Sequence, residues 1–315
     1  MMLNETTYFY IVAFSKNSRL KFFLFPTFLS LYLICLLWNI LILVILFIDL
    51  RLQKPMYFFL RSLSSVDVLY SSVTLPKLMD IIITGNNKIS FTSCFTQLYF
   101  FTSFACTEVW LLTMMSYDRY IAICFPLHYI ILMGKTKCSL LVTGCWVFGF
   151  SNSLFLTIFA SRLSFCRSTD IKQIFCDIKT LTKISCGDIF EFQTMILVEA
   201  VVGLCPFLLI LMSYSKILTN ILGLHSVGQR KKAFSTCTSH LSILLIFFGT
   251  LFCMYMIPPS DHSEELDQVF SVFYQAVTPT LNPLIYSLRN EEVKDAIHNW
   301  DLRGIKERIL QYLWI

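Results

Sequence analysis

Apolar residues in this chain are collected into seven long runs that short polar segments separate. Each run is about as long as the 20 or so residues that an α-helix needs to cross a bilayer. Because lipid offers no hydrogen-bond partners to the backbone, such runs are expected to form helices. The predicted spans are Phe22–Ile48, Met56–Ile83, Phe95–Cys124, Cys138–Phe159, Phe192–Ile217, Cys237–Ile257 and Val269–Leu288.

The pattern therefore predicts an all-α membrane protein, a seven-transmembrane helix bundle that forms a single domain. Residues 1–21 are expected to be an extracellular N-terminus, residues 22–288 the helix bundle and residues 289–315 a cytoplasmic tail. The first run is too long for the apolar core of a signal peptide, and no small-residue cleavage site follows it. It is therefore interpreted as the first span.

Composition and charge agree with this class. Of the residues, 56% are hydrophobic and 14% are charged, whereas soluble domains average about 25% charged residues. Basic residues concentrate in the loops on one side, which is the distribution expected of the cytoplasmic side. With an odd number of spans the N-terminus then lies outside, where Asn4 begins an Asn-Glu-Thr triplet that can accept an N-linked glycan. The net charge of +5 comes mostly from these loops and indicates no nucleic-acid partner.

The twelve cysteines fall into two groups. Eight lie in apolar runs or near the cytoplasmic face, where they are expected to be buried or reduced. An even number on the outer side indicates two disulfides, although four cysteines allow three pairings. No histidine flanks them, so a metal site is not favoured. These outer cysteines are Cys94, Cys166, Cys176 and Cys186.

An acidic and a basic residue, Asp118 and Arg119, stand side by side at the end of the third run. Arginine is costly within a membrane, so one at its rim usually faces protein or water and marks a working part. The neighbouring acid can hold the guanidinium as a latch that a signal releases. The alternative is an arginine that extends to the membrane surface without switching.

Four motifs occur in order along the chain. They are PMYFFL at Pro55–Leu60, MSYDRYIAICFPLHY at Met115–Tyr129, KAFSTCTSHL at Lys232–Leu241 and PTLNPLIYSLRN at Pro279–Asn290. Their residues and their spacing closely resemble those of odorant receptors, a branch of the rhodopsin-like G-protein-coupled receptors. The third-helix signature of that family is MAYDRYVAICxPLxY. The resemblance extends over residues 39–290.

This resemblance implies a fold, a ligand and partners. The fold is a seven-helix bundle with a short cytoplasmic helix at about Glu291–Asn299, and the disulfides are Cys94–Cys176 and Cys166–Cys186. A small volatile or water-borne odorant binds within the bundle, and a heterotrimeric G protein of the stimulatory, olfactory type raises cyclic AMP. The other expected partner is membrane lipid.

The chain departs from the family pattern at several positions. Trp38 stands where glycine usually precedes Asn39, Ser116 replaces alanine, and Ser62 falls where asparagine is common. In the sixth run Phe248 replaces a tyrosine, which removes a hydroxyl near the expected floor of the ligand pocket. This last change is expected to alter ligand choice or gating.

The resemblance assigns the switch to the inner ends of the helices. At rest Asp118 holds Arg119, and on activation Arg119 turns toward Tyr214. Pro283 breaks a backbone hydrogen bond and bends its helix, which makes either a hinge or a static kink. His240 is expected to pack or hydrogen-bond rather than bind metal. The coupling and switch residues are Asp118, Arg119, Tyr120, Tyr214, Lys232, Asn282, Pro283 and Tyr286.

Two carboxylates, Asp67 and Glu108, lie inside apolar runs, where charge is costly. The resemblance places both beside Asn282 at one polar cavity. Two nearby acids either share a proton or bind a cation. A sodium or proton site coupled to activation is therefore predicted, and no other cofactor. A structural hydrogen-bond network between three helices is the alternative.

The ligand pocket is expected among the upper thirds of the third, fifth, sixth and seventh helices, lined mostly by apolar groups. Glu199 stands apart, because an ionised carboxylate inside a helix bundle needs a partner. It is predicted to pair with a cationic or hydrogen-bond-donating ligand, such as an amine, or with a group of the protein. The predicted lining residues are Phe101, Thr102, Ala105, Cys106, Val198, Glu199, Val202, Phe248, Leu251, Phe252, Tyr255, Val272 and Gln275.

Other functions fit the sequence less well. A non-olfactory small-molecule or amine receptor of the same superfamily is the nearest alternative. A transporter would be expected to show repeats and interrupted helix pairs, and a channel a filter-like glycine-rich loop; neither pattern occurs. An enzyme is not predicted, because no nucleophile, base and orienting group appear together.

Overall fold

The computed structural model describes residues 8–14, 18–166, 168–186, 189–223, 225–256, 263–289 and 291–298. Most of them are helical. A π-helical segment at Phe273–Val277 joins α9 to α10 in one continuous run. In chain order the α-helices are α1 Ser18–Ile48, α2 Pro55–Thr84, α3 Phe91–Cys124, α4 Tyr129–Leu132, α5 Lys135–Ser161, α6 Ile178–Ile184, α7 Ile189–Leu222, α8 Val227–Met256, α9 Ser263–Val272, α10 Thr278–Arg289 and α11 Glu291–His298.

Not all of the predicted spans are equally apolar. Within the described residues, four helical segments are long and apolar enough to cross a membrane: Phe22–Ile48, Phe91–Cys124, Lys135–Ser161 and Val201–Leu222. Helices α2, α8 and the run from α9 to α10 coincide with the other predicted runs. They carry more polar residues, and seven membrane crossings stay a prediction.

Local sequence explains where two of the helices begin and end. Pro55 lies in the first turn of α2, where a missing N–H costs nothing. Gly85 ends that helix with a φ of 72°, a left-handed conformation that glycine adopts without strain. Ser90 caps α3 by accepting a hydrogen bond from the backbone N–H of Ser93 at 3.1 Å.

Helix α3 lies at the centre of the bundle and packs against α2, α5 and α7. Gly149 of α5 allows a close approach between α5 and α3. A Cβ atom at this position would lie 2.8 Å from the backbone oxygen of Ser103 and would also collide with the Thr107 hydroxyl. Small residues serve this purpose at many membrane helix interfaces, since they let backbones come together.

One end of the bundle carries a small β-sheet that an all-α prediction does not include. Strand β1 (Tyr8–Ile11) is the middle strand, antiparallel to β2 (Lys88–Ser90) and parallel to β3 (Asp170–Ile171). Phe9 and Ile11 of β1 are buried in a hydrophobic cluster that is separate from the main core of the bundle. The end of the molecule that carries this sheet is called the sheet end below.

Side-chain links tie the sheet end to the helices. Gln268 of α9 donates a hydrogen bond to the backbone oxygen of Val12 and accepts one from the N–H of Phe14, each at 3.0 Å. The second bond holds Phe14 at a φ of 45°, which is unusual for a residue other than glycine. Lys179 of α6 pairs with Asp267 of α9 at 3.0 Å.

Two disulfides also lie at the sheet end. Cys94–Cys176 joins the start of α3 to the segment between β3 and α6, with 5.5 Å between the Cα atoms. Cys166–Cys186 joins the residues before β3 to those after α6, with a Cα separation of 5.8 Å. The pairing is the one that the family resemblance implies.

At the opposite end, α11 folds back against the bundle and buries Val293 and Ala296. Glu292 pairs with Lys54 and accepts a 2.8 Å hydrogen bond from the Tyr57 hydroxyl. Burial tends to raise the pKa of the Glu292 carboxyl, but these partners outweigh it and the pKa is lowered. Glu292 thereby connects α11 to Lys54, directly before α2, and to Tyr57 in the first turn of α2.

Candidate functional site

The carboxylate of Asp118 is fully buried, and both of its oxygens are occupied. Arg119 donates to Oδ2 through Nη2 at 2.9 Å, and the Tyr129 hydroxyl donates to Oδ1 at 2.8 Å. The arginine side chain is 12% exposed. The sequence predicted the pairing of Asp118 with Arg119, but it did not predict Tyr129 as a second partner of Asp118. Its place at the end of the MSYDRYIAICFPLHY motif was the available signal.

Tyr214, which is expected to receive Arg119 on activation, has another partner in this structure. Its hydroxyl lies 2.8 Å from Nδ1 of His240, which joins α7 to α8. His240 is buried and thus takes the hydrogen-bonding role expected of it. Arg119 lies within electrostatic reach of both side chains. Tyr120 packs edge-on against Phe125 at 5.7 Å between ring centroids.

A polar core lies deeper in the bundle, where α2, α3 and α10 meet. The Nδ2 atom of Asn282 donates to both carboxylate oxygens of Asp67, at 3.1 and 3.4 Å, and to Oε1 of Glu108 at 3.3 Å. All three residues are at least 98% buried. A separate buried amide, that of Asn39, joins α1 to α10 by donating to the backbone oxygen of Pro279 at 3.1 Å.

This arrangement limits the charge that the core can carry. Two buried carboxylates that share one amide cannot both be ionised without a compensating cation, so they share a proton or bind an ion. Among the residues that the structure describes, no group of three or more histidine, cysteine or acidic side chains is placed to hold a metal. Any cation here would rest on the two carboxylates and neighbouring oxygens.

Two of the unusual residues have clear roles in packing. Ser62 accepts a 2.7 Å hydrogen bond from the indole N–H of Trp146, which joins α2 to α5. Phe248 packs on Phe207 of α7 at 5.2 Å between ring centroids. An aromatic ring without a hydroxyl thus fills this position at the α7–α8 contact.

A chain of aromatic contacts crosses the region where the ligand pocket is expected. Phe175, from the segment after β3, packs on Phe101 of α3 at 4.3 Å, and Phe101 packs on Tyr70 of α2 at 5.0 Å. Tyr70 in turn contacts Tyr274, and Tyr274 contacts Phe247. Of these five residues, sequence reasoning named only Phe101 as a lining residue. The loop ring of Phe175 could not be placed without the fold.

The other predicted lining residues divide by burial. Cys106 and Gln275 are buried. Three others are partly buried against the hydrophobic core: Ala105, Leu251 and Val272. Phe252 is 64% exposed and does not line the same region. The Thr102 hydroxyl bonds to its own helix at the Leu98 oxygen, and Val202 is half-buried. Asn4 and the side chains of Lys232, Val198, Glu199, Tyr255 and Tyr286 lie outside the described residues.

Comparison with known proteins relates this chain to one family. A family model described as olfactory receptor matches residues 28–302. Olfactory receptor 1G1 of Gorilla gorilla gorilla is 43% identical over 296 residues, which cover 94% of this chain and 95% of that protein. Olfactory receptor 7C1 of Homo sapiens is 43% identical over 92% of this chain and 91% of its own length.

A solved structure gives the same picture of the fold. The crystal structure of squid rhodopsin matches with a TM-score of 0.70 and covers 92% of this chain and 91% of its own. At 14% identity this likeness concerns the fold alone.

Proposed function

Because the chain belongs to the olfactory receptor family, we propose that it binds a small odorant among its helices and activates a stimulatory G protein. Members of this family are multi-pass membrane receptors rather than enzymes. The ligand is a small volatile or water-borne molecule, and the signal is a rise in cyclic AMP.

The observation that carries the proposal is the occupied carboxylate of Asp118. Arg119 and Tyr129 each donate to one of its oxygens, so the guanidinium is held at the end of α3. A buried ion pair of this kind is a two-state element, which a ligand can bias. On activation Arg119 leaves Asp118 and turns toward Tyr214, which first has to leave His240.

The polar core is proposed to couple the ligand to this latch. Asn282 bridges Asp67 and Glu108, and Pro283 lies inside α10 directly after it. A proline bend beside a bridging amide allows a small rotation of α10 to change the hydrogen bonds of both acids. Binding of sodium, or of a proton, would hold the resting arrangement.

The proposed topology has seven crossings, with the sheet end outside and α11 in the cytoplasm. Two observations support it. Both disulfides lie at the sheet end, and disulfides persist in oxidising compartments. Basic loop residues such as Lys54 and Lys135 lie at the opposite end, as expected of the cytoplasmic side.

The test is ligand-dependent cyclic AMP in transfected cells that are exposed to a broad odorant panel. A response that requires a stimulatory G protein, and that Arg119→Ala abolishes at equal surface expression, is expected. Substrate flux without dependence on a G protein would indicate a transporter instead and would overturn the proposal.

A further inference from the structure

The buried glutamines of this protein differ in how their amides are used. Gln97 donates to the backbone oxygen of Val73 and accepts from the N–H of Cys176, each at 3.0 Å. Gln268 makes the same pair of bonds to Val12 and Phe14. In both, donor and acceptor connect segments that are distant in the chain. A buried glutamine amide is thus an ordinary structural link in this fold.

Gln275 is the exception. It is 1% exposed, less than Gln97 and Gln268 at 7% each. Yet neither its Nε2 nor its Oε1 has a hydrogen-bond partner among the described residues. Nearly all buried polar groups in proteins are paired, and an unpaired one costs free energy. Both halves of the Gln275 amide therefore lack a hydrogen-bond partner among the residues that the structure describes.

The backbone around Gln275 is also unusual. The residue lies in the π-helical segment Phe273–Val277, which interrupts the helix formed by α9 and α10 and packs against α1, α2 and α8. Short π-helical turns are rare and occur frequently at functional sites. Thr74 of α2 is 1% exposed as well, and its hydroxyl has no partner in the described part of the chain.

The chemistry of the amide restricts what can pair with it. A primary amide presents a donor and an acceptor side by side, so its best partner presents an acceptor and a donor in the same way. It carries no charge, and an ion buried against it would be left uncompensated. A ketone, ester or ether could use only the donor and would leave Oε1 unpaired.

We propose that Gln275 recognises the ligand through two hydrogen bonds, and that this ligand is a neutral molecule of the lactam or primary amide class. The proposal rests on the odorant-receptor function and specifies its ligand. The competing hypothesis is an amine ligand that pairs with Glu199. The two differ in charge, and the same assay separates them.

The experiment uses the full-length receptor and ligands that share one carbon skeleton. Cyclic AMP responses are measured for alkyl-substituted δ-lactams of graded chain length, for the matching δ-lactones and for the N-methylated δ-lactams. The last two lack the N–H donor. The lactam is expected to act at a concentration at least about tenfold lower than either, the advantage of roughly one hydrogen bond.

The matched variants are Gln275→Met, Gln97→Met and Gln268→Met. Gln275→Met is expected to keep full surface expression, since the amide that it removes makes no hydrogen bond to the described part of the chain, but to lose the preference for the lactam. Gln97→Met and Gln268→Met are expected to lower surface expression, because each breaks two links to the backbone. Loss of surface expression in Gln275→Met to the same extent would show a structural role and overturn the proposal.

Binding is also measured apart from signalling, as the rise in melting temperature of the purified receptor with added lactam. A rise that Gln275→Met removes supports the proposal even without a cyclic AMP response, in which case only the proposed coupling fails. Equal responses to lactam and lactone overturn the inference. So does a receptor that responds to amines or other odorants but not to lactams, while the odorant function stands.

Discussion

The hydroxyl of Tyr129 donates a 2.8 Å hydrogen bond to the carboxylate of Asp118, eleven residues earlier in the chain. Tyr129 begins the short helix α4, which follows the end of α3. The contact therefore joins the connection after α3 to the carboxylate that holds Arg119. A shift of α4 would therefore change the hydrogen bonding of Asp118, and a break in the Asp118–Arg119 ion pair would change the contact with α4.

Removal of this hydroxyl is expected to weaken the latch. In Tyr129→Phe one oxygen of Asp118 loses its donor, and a hydrogen bond to a charged group is worth about 1.5–3 kcal/mol. If the bond is lost on activation, the ratio of active to resting receptor should rise at least about tenfold, the factor that about 1.4 kcal/mol represents, and basal cyclic AMP should rise with it. Tyr117→Phe is the control, and equal basal signalling in the two variants would contradict a latch role for Tyr129.

The bridge in the polar core is expected to matter for stability. Asn282→Ala leaves Asp67 and Glu108 buried without the amide that joins them, and each unpaired buried group costs about 1–3 kcal/mol. The melting temperature of the purified receptor and its surface expression should both fall. Asn220→Ala, at an exposed position of α7, should change neither. A normal melting temperature for Asn282→Ala would show that the acids find other partners.

Gly149 provides a test of the α3–α5 contact. Alanine there would place a methyl group 2.8 Å from the Ser103 oxygen, and overpacking of this kind costs about 1–3 kcal/mol. Gly149→Ala should lower the melting temperature by several degrees. Gly144→Ala in the same helix meets no atom within 4 Å and should leave it unchanged or raise it. Equal changes in melting temperature would mean that helix propensity, rather than the contact with Ser103, determines the stability of the two variants.

The sheet end is expected to respond to pH through Asp177. Burial raises the pKa of this carboxyl from 3.8 to about 6, and attraction to Lys179 offsets only part of the rise. The folded protein thus binds the proton more tightly than the unfolded chain. The resulting stabilisation is complete below about pH 4 and is lost as the pH rises through about 6.

Thermal denaturation of the parent and of Asp177→Asn over this pH range measures the effect. The difference in stability between them should change by at most about 3 kcal/mol, because one pKa unit corresponds to about 1.36 kcal/mol. A difference that stays constant from pH 4 to pH 7 would exclude Asp177 as the group responsible.

The sequence and the structure agree where the signal is local. Long apolar runs predict helices because the hydrogen bonds of a helix close within the run itself. Asp118 and Arg119 are adjacent, so their pairing needs no knowledge of the fold. The sheet is different, because its strands have four, three and two residues and show no useful alternation. Their partners are also far away in the chain.

The same argument applies to single side chains. Gln97, Gln268 and Gln275 are each a glutamine in or beside an apolar run. The sequence places Gln275 among the expected lining residues, but only the fold shows that Gln97 and Gln268 join backbone segments whereas Gln275 has no partner among the described residues. Residues of this kind are therefore found by an inventory of hydrogen bonds rather than by a motif.

The position of β1 has a consequence for how the receptor is made. β1 and the residues directly after it leave the ribosome before all of their partners, and the last of these, Gln268, follows Phe14 by 254 positions. The strand must wait through the synthesis of most of the chain before its contacts can form. The complete set of contacts at the sheet end thus forms late in biogenesis, and its presence reports that α9 has docked.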